Sequence, residues 1–144
     1  LLIILGLAGY ALALPGYEIH GVIFDAHTLL YSTLAILCGH QAWLFAIFTK
    51  TFAMNEGLMP EDPRLLRFFK IINLERGLAI SLAALVIGLA VLLRVFLGWR
   101  GVAFGELDYA ATMRQVIPAA ALTALGFQSM LSGFFVSILG MHRK

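Results

Sequence analysis

Charge is what this chain has least of. Only 12% of its 144 residues are Asp, Glu, Lys or Arg, against 61% of apolar type; an average soluble domain is about 25% charged and about 45–50% apolar. So few charges cannot cover a water-facing surface. That excludes a soluble globular domain and a disordered tail, and a net charge of +2 gives no basic field for a nucleic acid. One cysteine, Cys38, excludes an internal disulfide and a cysteine metal cluster. No glycine-rich phosphate loop follows a strand, no Ser, His and Asp set is convincing, and no nucleotide-binding segment is present. Asp25 and His27 stand two apart, where neighbouring ligands on one helix face need three or four. Glu106 and Asp108 lack a partner base. The sequence therefore offers neither catalytic residues nor metal ligands of its own, and the class that remains is an integral membrane protein.

What the chain does have is long apolar runs. A membrane-crossing helix needs about 20 mostly apolar residues. Residues 26–49 hold 24 without a formal charge, residues 77–93 hold 17 before Arg94 interrupts, and residues 115–141 hold 27. A shorter run at 1–14 begins Leu1-Leu2-Ile3-Ile4, without an initiator methionine or the basic stretch of a signal peptide. The expectation is the second half of a span, in a fragment of a longer protein. Barrel strands would be about ten residues of alternating polarity, so the runs predict helices. The expected fold is an all-α polytopic membrane bundle with spans at about 1–15 (truncated), 26–50, 74–97 and 115–140, plus an interfacial amphipathic helix at about 63–73. Asp25 and Asp108 are placed to act as N-caps. Pro118 is expected near the start of the fourth span, where its missing N–H matters least.

Lysine and arginine set the orientation. One side of the bundle collects Lys50, Arg64, Arg67, Lys70, Arg76, Arg143 and Lys144, and the other only Arg94, Arg100 and Arg114. The 50–76 loop and the C-terminus are therefore expected in the cytoplasm, with Tyr17, Trp99 and Tyr109 near the outer boundary. Small residues form a stripe on each full span: Ser32, Ala35, Gly39, Ala42, Ala46, Thr49 and Ala53; Gly77, Ser81, Ala84 and Gly88; Gly126, Ser129, Gly133, Ser137 and Gly140. Small side chains let helix backbones approach in lipid, and the 3–4 spacing is that of a helix seam. A weak internal repeat matches Gly39-x-Gln41-x-x-Leu44-x-x-x-Phe48 to Gly126-x-Gln128-x-x-Leu131-x-x-x-Phe135, 87 residues on. It makes the second and fourth spans candidate parallel copies.

Two groups of residues could carry chemistry. After Asp62-Pro63, an N-cap followed by proline at the first helical position, helical spacing sets Arg64, Arg67 and Lys70 opposite Leu65, Phe68, Phe69 and Ile72. Arg76 opens the third span. These four cations suit either a cradle for an anionic lipid head or a general positive-inside anchor, at about 1 kcal/mol per cation. Inside the membrane stand His40, Gln41 and Gln128. Such residues are functional or act as interhelical glue worth less than about 2 kcal/mol, and the two glutamines could bond to each other. A proton relay through His40 would need an acidic partner, and the spans hold none.

The string Phe24-Asp25-Ala26-His27-Thr28-Leu29-Leu30-Tyr31, then Gly39-x-Gln41 and Phe45-Ala46-x-Phe48-Thr49-Lys50-x-Phe52-Ala53, resembles the C-terminal membrane region of family-2 glycosyltransferases of the polyprenyl-phosphate type. The resemblance continues through Glu56-Gly57-Leu58-x-Pro60-x-Asp62-Pro63-Arg64-Leu65, Leu74-Glu75-Arg76-Gly77, Val116-Ile117-Pro118, Leu125-Gly126-Phe127-Gln128 and Phe134-Phe135-x-Ser137-Ile138-Leu139-Gly140. His40 departs from the pattern, which has an apolar residue there. The resemblance implies a separate N-terminal cytoplasmic domain that binds a nucleotide sugar and a divalent metal and transfers the sugar to a polyprenyl phosphate. The catalytic carboxylates and the metal would belong to that domain. This chain would contribute a lipid-bilayer anchor in a prokaryotic cell membrane, with Arg64, Arg67, Lys70 and Arg76 toward the acceptor phosphate. A homo-oligomer is left open. The competing readings are a stand-alone four-span flippase for lipid-linked sugars, or an accessory or assembly subunit.

Overall fold

Hydrocarbon offers the backbone no hydrogen-bond partners, so an apolar run that enters it must satisfy its own amides as a helix. The computed structural model of the chain describes residues 1–16, 18–19, 22–60, 62–65, 67 and 74–140. Four principal helices result: α1 (Leu2–Ala13), α2 (Ala26–Asn55), α3 (Leu74–Gly101) and α4 (Tyr109–Gly140). At about 1.5 Å of rise per residue, α2, α3 and α4 exceed the roughly 30 Å hydrocarbon layer, and all three contain stretches apolar enough to cross it. The all-helical expectation gains one addition. Between α1 and α2, β1 (Glu18–Ile19) pairs antiparallel with β2 (Val22–Ile23), Glu18 opposite Ile23 and Ile19 opposite Val22. Strands of two residues leave no alternation to read in the sequence.

The helices outrun the apolar stretches that announce them. α2 continues to Asn55, α3 to Gly101, and α4 begins at Tyr109, because a helix stays regular where it passes into the headgroups. Pro118 consequently lies inside α4 rather than near its start, and leaves the Arg114 carbonyl without its usual helical donor. Asp108 caps α4 as expected, accepting the Ala111 N–H at 3.0 Å. Asp25 holds the N-cap position of α2, but its side chain makes no capping bond, and its Oδ1 is buried without a partner among the described residues.

The helices pack in the order α1, α2, α4, α3. Leu29 is the only large side chain among the described residues that is wholly buried, while Ile4, Leu30, Phe45, Ile80, Val86 and Phe134 are exposed. Lipid solvates such groups, so a greasy core is not what holds the helices together. Close backbone approach takes its place. A Cβ added at Gly6 would lie 2.6 Å from the Ser32 carbonyl oxygen, and one at Gly39 would lie 2.7 Å from Ile3 Cγ1. In the second hairpin, a Cβ at Gly88 would meet the Ala119 carbonyl at 2.8 Å, and one at Gly126 the Leu85 amide at 2.6 Å. The small-residue stripe of α2 is used only in its first half. Ala42, Ala46 and Thr49 are exposed, and the Thr49 hydroxyl donates back to the Phe45 carbonyl at 2.8 Å.

These contacts repeat. A shift of 87 residues carries Ser32, Ile36, Gly39 and Phe48 onto Ala119, Thr123, Gly126 and Phe135, and a shift of 82 carries Ile3 and Gly6 onto Leu85 and Gly88. Gly6 faces Ser32 and Ile36, as Gly88 faces Ala119 and Thr123; Gly39 faces Ile3, as Gly126 faces Leu85. Each hairpin is antiparallel, whereas α2 and α4 run parallel, joined by His40 with Ser129 and by Phe48 with Phe135. Exchanging the hairpins maps the Phe48–Phe135 pair onto itself. A pseudo-two-fold axis along the helices therefore passes through that contact.

Candidate functional site at the basic end of the bundle

α2 ends in a Schellman turn. Gly57 takes φ +70°, the Leu58 N–H reaches back to the Ala53 carbonyl at 2.9 Å, and the Gly57 N–H reaches Met54 at 3.3 Å. Glycine suits the position because a left-handed residue carries no Cβ penalty there. The reversal brings Asp62 back to the last turns of α2. One carboxylate oxygen of Asp62 accepts from Lys50 Nζ, and the other accepts the Arg64 N–H at 2.8 Å. Asp62 thus caps a new helical turn and ties it to α2. The Lys50 ammonium, and after it the Arg64 amide, hold the Asp62 carboxyl below its ordinary pKa.

That turn buries Leu65 and leaves Arg64 and Arg67 exposed. The amphipathic pattern thereby has its first apolar anchor on the protein side and its first two cations on the other. Lys70, and most of the amphipathic segment expected at 63–73, lie outside the described residues. Arg76 is exposed in the first turns of α3. Lys50 is a site residue that sequence spacing misses, since Gly57 and Pro60 mark a turn between it and Asp62 but not which side chains the turn brings together.

The intramembrane polar residues are arranged differently from the pairing offered by the sequence. Gln41 is exposed, and the buried Oε1 of Gln128 has no partner among the described residues. Instead, among the described residues, His40 Nε2 and Ser129 Oγ form a polar link between the hairpins, at 3.1 Å. At the opposite end of the bundle, a cavity of about 290 Å³ opens among Phe96, Trp99, Leu107, Tyr109 and Met113. Its lining is mostly apolar and aromatic, with hydroxyls from Tyr109 and Thr112 and without a carboxylate or imidazole. Nearby, Trp99 donates to the Gly105 carbonyl at 3.2 Å, and Phe104 stands edge-on to its ring at 5.0 Å. Among the described residues no group of three His, Cys, Asp or Glu could hold a metal ion, so these residues do not fit a divalent metal.

Residues 47–140 match the family described as the glycosyltransferase family 2 C-terminal transmembrane region. The chain is also 30% identical, over 137 residues, to the low-salt glycan biosynthesis hexosyltransferase Agl6 of Haloferax volcanii; the alignment covers 95% of this chain and 32% of that protein. The chain thus spans about a third of the length of this curated relative. No solved structure matches it. The family match takes in the end of α2, the basic loop, all of α3 and α4, in a chain whose apolar helices make it an integral membrane protein. The chain belongs to the glycosyltransferase family 2 C-terminal transmembrane region.

Proposed function

We propose that this region holds a hexosyltransferase at the membrane surface, where a hexose passes from a nucleotide sugar to a polyprenyl phosphate. The catalytic domain and its divalent metal lie outside this chain. Arg64, Arg67, Lys70 and Arg76 help seat the acceptor phosphate. The observation that carries this reading is the display of Arg64 and Arg67, exposed on a turn that Asp62 pins to α2. A lipid phosphate stays in the headgroup layer at that level. Each nearby cation is worth about 1 kcal/mol, and a guanidinium can hold two phosphate oxygens at once. Confining enzyme and acceptor to one layer also raises their effective concentration.

The cation asymmetry supports a cytoplasmic position for the 50–76 loop and the C-terminus, and the resemblance of the chain supports a prokaryotic cell membrane. The test replaces Arg64 and Arg67 together with Gln in the active transferase. The KM for polyprenyl phosphate rises about tenfold or more if both cations contribute at the surface value. An unchanged KM in an inserted, folded variant overturns the reading.

One observation favours a second reading, a mover of lipid-linked sugars. Transporters also use repeats with polar groups at the repeat interface, and His40, Ser129 and Gln128 lie on the two helices that form it here. An assay of lipid-linked-sugar movement across vesicles containing the chain alone decides between the two. Movement without any transferase activity favours the mover.

A further inference from the structure

Lys50 and Asp62 give the basic end a feature that a plain cluster of cations lacks. The Lys50 ammonium already has an anion, the Asp62 carboxylate, with the Lys50 side chain 40% exposed and that of Asp62 22% exposed. Arg64 and Arg67 stand exposed on the same turn. Any lipid phosphate arriving there competes with a carboxylate that is tethered to the same loop. Against a monoanion the tethered carboxylate wins, because the charges are equal and the tether supplies a high effective concentration. A phosphate monoester carries about −1.5 to −2 charges near pH 7, so its attraction to Lys50 is up to twice as large as that of a monoanion.

We infer that Lys50 is an exchangeable phosphate ligand, released from Asp62 by a dianionic phosphate monoester and reclaimed by Asp62 when the phosphate becomes a monoanionic diester. The inference rests on the proposed reading and deepens it. In that reading, transfer forms a bond between a phosphate oxygen of the acceptor and the anomeric carbon of the hexose, and breaks the bond from that carbon to the nucleotide phosphate, which leaves with the electron pair. The lipid phosphate enters as a monoester and departs as a diester. Asp62 would weaken the hold on the product at the step where the product must leave. Asp62 is then a positioning residue, and Lys50 the group that touches the acceptor.

The experiment reconstitutes the protein in phosphatidylcholine nanodiscs doped either with phosphatidic acid, a phosphomonoester, or with phosphatidylglycerol, a phosphodiester. Retained lipid is counted by native mass spectrometry. Lys50→Gln lowers retention of phosphatidic acid about fivefold, the surface value of one cation, and leaves phosphatidylglycerol unchanged. Asp62→Asn, which keeps a good N-cap side chain, raises retention of phosphatidylglycerol about fivefold. The double variant returns to the level of Lys50→Gln.

Equal weakening of both lipids by Lys50→Gln makes Lys50 an ordinary surface cation and overturns the exchange. So does an Asp62→Asn variant that leaves phosphatidylglycerol retention unmoved. Should Asp62→Asn fail to insert, the lipid selectivity of Lys50→Gln alone decides. Failure of the underlying reading shows up separately, as phosphatidic acid retention that is indifferent to Arg64→Gln with Arg67→Gln. Displacement of phosphatidic acid by inorganic phosphate at low concentration would assign the cluster to a soluble phosphate and overturn the lipid form of the proposal.

Discussion

The two hairpins share a scaffold and differ in much of what is laid over it. In both, a glycine of each helix meets the partner helix at the same relative height, Gly6 and Gly39 in the first, Gly88 and Gly126 in the second, and Gly9 adds a further contact to Ser32 in the first alone. The first is stitched by a hydrogen bond between the Tyr10 and Thr33 hydroxyls, at 2.6 Å. In the second, the Thr123 and Ser81 hydroxyls turn back onto their own helices, to Ala119 at 2.8 Å and Gly77 at 2.7 Å. The far-side connections differ too. Residues 14–25 carry a miniature strand pair and a helix start whose Asp25 side chain does not cap, whereas the shorter 102–108 turn ends in the working Asp108 cap. What the hairpins hold in common is backbone proximity, and that is the part the architecture requires. The polar contacts are local additions.

Substitutions at the glycines should break the comparison most sharply. Gly126→Ala places a methyl against backbone atoms, the Leu85 amide at 2.6 Å and the Ser81 carbonyl at 2.7 Å. These cannot rotate away. We expect a loss of about 2 kcal/mol, despite a gain of about 1 kcal/mol in helix propensity, read as reversible unfolding in mixed detergent. Gly39→Ala meets first the Ile3 side chain, near the end of short α1, and should cost about half as much. Equal costs would mean that the second hairpin yields as readily as the first.

A smaller effect should separate the hairpins by chemistry. Tyr10→Phe removes the bond to Thr33 and should destabilise the first hairpin by about 0.6 kcal/mol, the usual worth of an interhelical hydrogen bond in a membrane. Thr123→Val should change the second by less than about 0.3 kcal/mol, because its hydroxyl serves only its own helix. The same unfolding assay ranks the two.

The smallest effect should lie in the connector between the hairpins. The Asp62 carboxyl titrates below its ordinary value because Lys50 and the Arg64 amide favour its charged form. Its contribution is therefore complete above the ordinary carboxylate pKa and is lost as pH falls through the lowered one. Protection of the 56–60 backbone against hydrogen exchange should hold from neutral pH down into the ordinary carboxylate range and fall only below it. In Asp62→Asn that acid-dependent step should be absent. A step in the variant as large as that of the parent would place the titration elsewhere.

Much of this was legible in the residues. Uninterrupted apolar runs mark α2, α3 and α4, Asp108 reads as a cap because it precedes a helical run, and the repeat with an 87-residue offset is visible in Gly39, Gln41, Leu44 and Phe48. Other features were hidden for physical reasons. Ala42 and Ala46 continue the small-residue stripe of α2 yet face outward, since the stripe records where a backbone can approach and not whether a partner helix is there. Gln41 and Gln128 look like partners because both are polar and equivalent in the repeat. The parallel packing of α2 on α4 instead brings His40 to Ser129, one residue to either side of the two glutamines.

Composition and run length settled that this chain lives in lipid as helices, because so few charges cannot face water and long apolar runs without alternation satisfy their amides in hydrocarbon as helices and not as barrel strands. Tertiary structure decided the order α1, α2, α4, α3, the two-fold relation of the hairpins and the Lys50–Asp62 pairing. In a uniformly apolar sequence every helix face is compatible with lipid. Only the meeting of distant segments, glycine against backbone and ammonium against carboxylate, selects which faces touch.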